Sequence, residues 1–303
     1  MFTDLHCHLG GSISKHTLFS IAYDRGFPMK KIHMVERESL DYEDYLKQYE
    51  LYHKITSSPK AMYTCTYEAL VKYYLKHHTG HIELRFNPIF RNANNLYDVD
   101  VIIFNVLNAV RKAITIYPEL SVRIILEGDQ KFSQSLNMKI AEKCFKYKSD
   151  GVVGFDISGY DKNFKLSDCG KLFEYCNNHD INLTIHSGET HVDDGILNYP
   201  YIKRIGHGIQ YFLQDRQDII EFILKNDIGI EYCPISNMAT KLLTQEMSVH
   251  VLKLMHAYGV KFALCSDGYA INQPVDKICD IYNPLFTLQE LDKINLNIEK
   301  MKF

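Results

Sequence analysis

Residues 204–232 read RIGHGIQYFLQDRQDIIEFILKNDIGIEY and contain one complete structural repeat. Arg204–Gly206 is a short run that leads into a histidine. Arg216–Lys225 carries apolar residues at helical spacing, and Gly229–Tyr232 is a second short β-prone run. Strand, helix and strand in that order imply two parallel strands joined by a crossover. The same unit recurs on both sides. Further strands are expected near Phe2–His6, His81–Phe86, Val122–Leu126, Val152–Asp156, Leu183–His186 and Phe262–Cys265, which makes eight in all. Amphipathic stretches at Met138–Lys148, Cys169–Asn178 and Val249–Tyr258 separate them. Eight such units close naturally into an α/β fold, a (β/α)8 TIM-type barrel, expected here as a single domain over residues 1–303.

One connection breaks the rhythm. Residues 7–80 separate the first two strands, too many for one crossover. Tyr42–Tyr52 and Lys60–Lys76 within it have helical character. This helical insertion after the first strand falls at the carboxyl end of the barrel, where active sites form, so a lid over the pocket is expected.

Composition narrows the class. Of 303 residues, 46% are hydrophobic and 23% charged, enough to bury a large core. The net charge is −3 with both signs interspersed, which argues against a nucleic-acid-binding groove. The eight cysteines include no CxxC pair, and Cys7, Cys233 and Cys265 sit in apolar runs that suit buried thiols. The start, Met1-Phe2-Thr3-Asp4, has no basic or apolar leader, and no 18-residue apolar run exists. The expectation is a reduced, cytoplasmic enzyme that acts on a small molecule away from any membrane.

The chemistry-bearing residues cluster at strand ends. His6 and His8 flank Cys7, and strand alternation turns both imidazoles to one side. Strand five ends in His186, with Glu189 three residues on. Strand six ends at His207, and strand eight leads to Asp267. A barrel brings these distant positions together at one mouth. His6, His8, His186 and Asp267 form a ligand set for one divalent ion with room for water, while Glu189 and His207 are placed to move protons beside it. Other ionisable residues get a structural reading. Glu83 and Arg85 are expected to form a buried ion pair. His53, His77, His78, His179 and His250 are expected at the surface, and Lys30 and Lys31 on a solvated face.

The motifs DLHCHLGGS (4–12), HIELRFNP (81–88), GVVGFDISG (151–159), IHSGE (185–189), RIGHG (204–208), IEYCPISN (230–237) and CSD (265–267) occur in order along the chain. In this order and spacing they resemble the adenosine deaminase family of the amidohydrolase superfamily. That resemblance implies hydrolytic release of ammonia from an adenosine-like aminopurine nucleoside at a zinc ion. The zinc ligands would be His6, His8, His186 and Asp267. Glu189 would protonate the ring nitrogen beside the attacked carbon, His207 would orient the attacking water, and Asp267 would also accept its proton. His8, the backbone of Gly159, and the apolar cover formed by Tyr45, Leu46 and Tyr49 would contact the substrate. Strand four carries no lysine to bridge a second metal, so one ion per chain is expected.

Two positions depart from the family pattern. An acidic residue usual after the first histidine pair is Gly10 here, and a second aspartate usual after the strand-eight aspartate is Gly268. The first change removes a charge near the ribose 5′ end. The second removes a partner for the purine's five-membered ring. Both would suit a 5′-modified or phosphorylated nucleoside, or another aminated heterocycle, unless Asp276 or Asp280 takes over the lost role. On this reading an acid at Gly10 would disfavour an anionic substrate, and one at Gly268 would improve an unmodified purine. An amidase or lactonase on the same barrel and a non-catalytic purine sensor remain the competing functions.

Overall fold

The computed structural model describes residues 1–28, 32, 42–92, 95–160 and 163–303, with the side chains of 42–48 outside that description. Eight parallel strands follow one another around one sheet: β1 (Phe2–His8), β2 (Thr79–Phe86), β3 (Ser121–Asp129), β4 (Val152–Ser158), β5 (Asn182–Ser187), β6 (Arg204–His207), β7 (Gly229–Tyr232) and β8 (Lys261–Leu264). Each strand pairs in parallel with the next. Closure comes just beyond β8, where the Asp267 N–H donates to His6 O at 2.9 Å and the His8 N–H donates to Asp267 O at 2.8 Å. The eight-stranded barrel expected from the strand pattern is the observed fold.

Among the described residues, the connection from β1 to β2 holds three α-helices, α1 (Lys15–Asp24), α2 (Tyr42–Thr56) and α3 (Pro59–His77). The first was not anticipated. Its apolar period is blurred by an exposed Tyr23, and the clearest start signal is Ser14, whose hydroxyl accepts from Thr17 N. α3 fills the ordinary outer-ring position against β2, so α1 and α2 are the true additions. The ring continues with α4 (Val99–Ile116), which packs on α3, then α5 (Gln134–Lys146) and α6 (Gly170–Asn178). α7 (Ile209–Leu213), α8 (Gln217–Lys225), α9 (Pro234–Ala239), α10 (Gln245–Tyr258), α11 (Val275–Tyr282) and α12 (Leu288–Met301) complete it. Lys30 and Lys31 lie outside the described residues. Among the described residues no helix is long and apolar enough to cross a membrane, and none of the eight cysteines forms a disulfide.

Charged side chains as well as apolar ones fill the barrel interior. Glu83 and Arg85 point inward from β2 but do not pair with each other. Glu83 meets Arg204 from β6 at 2.5 Å, and Arg85 reaches Asp156 on β4 at 2.9 Å and Glu231 on β7 at 2.8 Å. Residues two apart on a strand are spread along its axis, whereas side chains from opposite walls meet at the same level, so the partners lie across the barrel. Arg204 also pairs with Glu231 at 2.7 Å. At the amino end of the barrel the Arg204 guanidinium lies over the Phe303 ring, 3.5 Å from its centroid, and donates to Met301 O.

Removing one member of such a network leaves a buried charge unmatched. Arg204→Met strips Glu83 of its cation and Glu231 of one of two. It should cost about 3–5 kcal/mol, read as a lower denaturant midpoint with an unchanged slope. A loss below about 1 kcal/mol would mean that water or a neighbour already screens Glu83.

Candidate metal centre and catalytic pocket

β1 delivers His6 and His8 to the barrel mouth on one side, as strand alternation requires, while Cys7 turns into the surrounding core. Their Nε2 atoms lie 3.2 Å apart, and His8 Nε2 lies 3.1 Å from His186 Nε2 at the end of β5. Asp267 Oδ1 is 3.3 Å from His8 Nε2 and 3.6 Å from His6 Nε2. Four atoms from three strand ends therefore face one point.

The opposite ring nitrogens explain why they do so. His6 Nδ1 lies 2.7 Å from Glu231, His8 Nδ1 2.7 Å from Glu127, and His186 Nδ1 3.0 Å from Asp156. Each carboxylate holds the ring proton on Nδ1 and aims the Nε2 lone pair at the shared point. Three lone pairs that close repel one another unless a cation sits among them. Ligands about 2.0–2.1 Å from one ion in a near-tetrahedral set would be roughly 3.3–3.4 Å apart, which matches these separations. The donor set therefore fits a borderline divalent metal. Cys233, also near His6, is a poorer candidate: burial pushes its thiol pKa well above the usual value, and it is spent on the Glu231 carbonyl.

Electrostatics follow from the same contacts. Burial and the Arg85 charge lower the His6 pKa. Burial works the same way at His186, but the Asp156 carboxylate overrides it and pushes the ring up to about 9. At Asp267 burial opposes ionisation, yet the His6 and His8 rings hold its carboxyl well below the ordinary range. Ser236 donates its hydroxyl to Asp267 Oδ2.

His207 stands at the end of β6, its ring 5.1 Å from that of His6 and 5.2 Å from that of His186. Burial brings its pKa down to about 4, so the ring is neutral at pH 7. Asn237 donates its amide to Nδ1 at 2.9 Å, which places the ring proton on Nε2. Glu189 Oε1 approaches His207 to 3.7 Å. His207 and Asp267 both have positive φ, 68° and 62°. Non-glycine residues take this conformation only where the surroundings enforce it.

Glu189 and Gly159 line one cleft beside His186, together with Tyr160, Phe164 and Asp193. Tyr49 lies on the far side of the mouth, against Gly10 and Gly11. Tyr45 and Leu46 belong to α2, with side chains outside the described residues. Glu127, Asp156, Glu231, Ser236 and Asn237 went unread in the sequence. For Asp156 and Glu231 a usable signal existed: acids amid apolar neighbours in interior strands.

Several sequence expectations need correcting. Asp276 pairs with His77 at 3.3 Å and Asp280 with Lys277 at 3.1 Å, so neither replaces an acid at Gly268. His53 and His77 are partly buried, His53 being stacked on Phe90 at 4.9 Å. His179 is partly buried as well, stacked on Tyr175. A Cβ at Gly268 would lie 2.6 Å from Gly11 Cα, so an acid there collides with backbone before it can touch a purine.

A parallel eight-stranded barrel with a histidine-rich, carboxylate-backed centre at its carboxyl mouth is an amidohydrolase-type architecture. The chain belongs to the adenosine deaminase family, whose model matches residues 2–302. It is 29% identical over 226 residues to the adenosine deaminase of Plasmodium falciparum, a match covering 71% of this chain. The chain spans 60% of that relative's length. An adenine deaminase from Arthrobacter aurescens superposes with a TM-score of 0.86 at 17% identity, covering 100% of this chain and 93% of the other. The N6-methyl-AMP deaminase of Arabidopsis thaliana gives 0.81 at 22% identity, covering 97% and 89%. These structural likenesses define the fold.

The position of the His6 ring offers a direct test of the centre. Gly206 on β6 leaves room for it: a Cβ there would stand 2.9 Å from His6 Cε1. The ring is held by Glu231 and cannot retreat. Gly206→Ala should therefore weaken binding of added zinc at least ~10-fold in chelator competition while the fold persists. Equal affinity would show that the ring position is not limiting.

Proposed function

We propose that this protein hydrolytically deaminates an adenosine-like aminopurine nucleoside, with one zinc ion held by His6, His8, His186 and Asp267. The observation that carries the reading is the convergence of Glu189, His207 and Asp267 around three imidazole lone pairs, each fixed by its own carboxylate. When bound, the ion supplies Lewis acidity, which can lower the pKa of a water from 15.7 to ~7. The shared barrel also suits this substrate range, since one similar structure is an adenine deaminase and another acts on a methylated nucleotide.

The reaction replaces the exocyclic C–NH2 bond by C=O: water adds, ammonia leaves, and protons must reach both the ring nitrogen and the departing amine. The ionised Asp267 carboxylate accepts the proton that water gives up. Neutral His207, with its N–H on Nε2, orients the water oxygen by donating to it. Glu189 gives a proton to the nitrogen next to the attacked carbon. That step matters because addition destroys aromaticity, and only a protonated ring can hold the displaced electron pair. Collapse then expels the amino group as ammonia with the proton that Asp267 received, and the hydroxyl proton returns to Glu189 as the C=O forms.

Two measurements test this reading. Purified protein should hold about one zinc per chain, and His186→Ala should lose most of it; a stoichiometry near two would overturn the ligand set. Glu189→Gln should keep the metal but lose at least ~10²-fold in ammonia release from adenosine, because an amide donates a hydrogen bond without delivering a proton. Unchanged turnover would remove Glu189 from the chemistry. A panel of aminopurines that yields no ammonia would leave the reading without support.

A further inference from the structure

Among the described residues three arginines are almost completely buried, and two of them are paired with carboxylates. Arg85 and Arg204 each meet two carboxylates. Arg91, 3% exposed, does not. It sits in the segment that leaves β2 at the barrel mouth. Its Nη1 donates to Thr56 Oγ1 at 2.6 Å, its Nε has no hydrogen-bond partner, and no carboxylate pairs with it among the described residues. The acid that acts on it from a distance is Glu127, whose carboxylate already holds His8 Nδ1 at 2.7 Å. Neighbouring His53 stays neutral, its pKa well depressed by burial. A guanidinium withdrawn from water with one neutral partner among the described residues stays costly even after the surroundings relax. Burial accordingly brings its pKa down to about 10.

The free edge of this cation has a definite direction. Nη2 lies over Gly10: a Cβ built there would stand 2.8 Å from it, with the Tyr49 ring 3.6 Å away. Gly10 is two residues past His8, so their Cα atoms are at most about 7.6 Å apart. That is on the scale of a nucleoside. On the deaminase reading the ring edge takes the Gly159–Glu189 cleft on the β4–β5 side, which sends the sugar end of the substrate toward β1 and β2. Gly10 lacks a side chain that would either neutralise Arg91 or occupy the space in front of it.

We propose that Arg91, reached across Gly10, is an anion subsite of the substrate pocket and binds a phosphate on the 5′ carbon of the purine nucleoside. The proposal rests on the deaminase reading above and narrows its substrate to a nucleoside 5′-monophosphate. Charge-assisted hydrogen bonds of this kind contribute about 1.5–3 kcal/mol, or roughly 10–100-fold in affinity. Arg91 is a binding residue and takes no part in the bond changes.

Product binding tests this without turnover. Isothermal calorimetry on the zinc-loaded protein should show inosine 5′-monophosphate bound at least ~10-fold more tightly than inosine. Inorganic phosphate should compete with the monophosphate and leave inosine binding unchanged. Arg91→Gln should reduce the preference to below ~3-fold, and Arg91→Lys should keep part of it. Gly10→Asp gives a second route in case Arg91→Gln does not fold: it sets a carboxylate against Nη2 and should abolish the preference in the same way. In turnover, the ratio of kcat/KM for adenosine 5′-monophosphate to that for adenosine should fall at least ~10-fold in both variants. Equal affinity of the wild type for the two products would overturn the proposal, as would phosphate binding that gives the nucleotide no advantage. Ammonia release from adenosine with no phosphate preference sinks this inference alone. A phosphate preference in calorimetry with no ammonia from any aminopurine sinks the deaminase reading alone, and failure of both products to bind sinks both.

Discussion

Glu231 sits where the barrel core meets its mouth, and four donors converge on its two oxygens. Oε2 faces His6 Nδ1 and Arg85, and Oε1 faces Arg204 and Thr184. Burial opposes its charge, but Arg85 and Arg204 hold its pKa well below the ordinary carboxylate value. Through Arg85 it is tied to Asp156, hence to the His186 ring, and through Arg204 to Glu83 at the far end of the barrel. The orientation of the His6 and His186 imidazoles at the mouth is therefore fixed by charge matching along the barrel axis. A ring that moved would leave a buried carboxylate short of a partner, which costs more than any single contact at the mouth.

Asp267 adds a second constraint of a different kind. Its backbone forms the two hydrogen bonds that join the last wall of the barrel to the first, and its side chain faces the imidazoles on either side of that joint. Barrel closure and the placement of this carboxylate are consequently one event. The positive φ at Asp267 and at His207 turns the chain sharply just as each strand ends, directing both side chains inward.

The eight strands were legible because each is a short β-prone run separated from the next by an amphipathic helix, and the candidate site because its ionisable groups fall at strand ends. Partners were not legible. The spacing of Glu83 and Arg85 suggests a local pair, yet the stagger of a closed barrel matches Glu83 to Arg204 and Arg85 to Asp156 and Glu231. α1 escaped notice because Tyr23 breaks its apolar period. Arg91 carries no signal in the sequence, because its burial depends on Thr56 and Gly10, which come from a distant helix and the turn after β1. Gly268 could be read as a departure from the family pattern, but the cause lies in space rather than in sequence.

That cause reaches into the history open to the chain. Gly11 and Gly268 touch backbone to backbone, and Gly11 O receives the amides of Ala270 and Ile271. A side chain at either position is blocked while the loops keep this contact, so substitutions at the two sites are not independent steps. An acid can return at 268 only after the turn at 10–11 has shifted, whereas position 10 can change first because its neighbour is the movable end of Arg91. The two loops thus impose an order on mutation: position 268 stays closed for as long as the Gly11 backbone keeps its place.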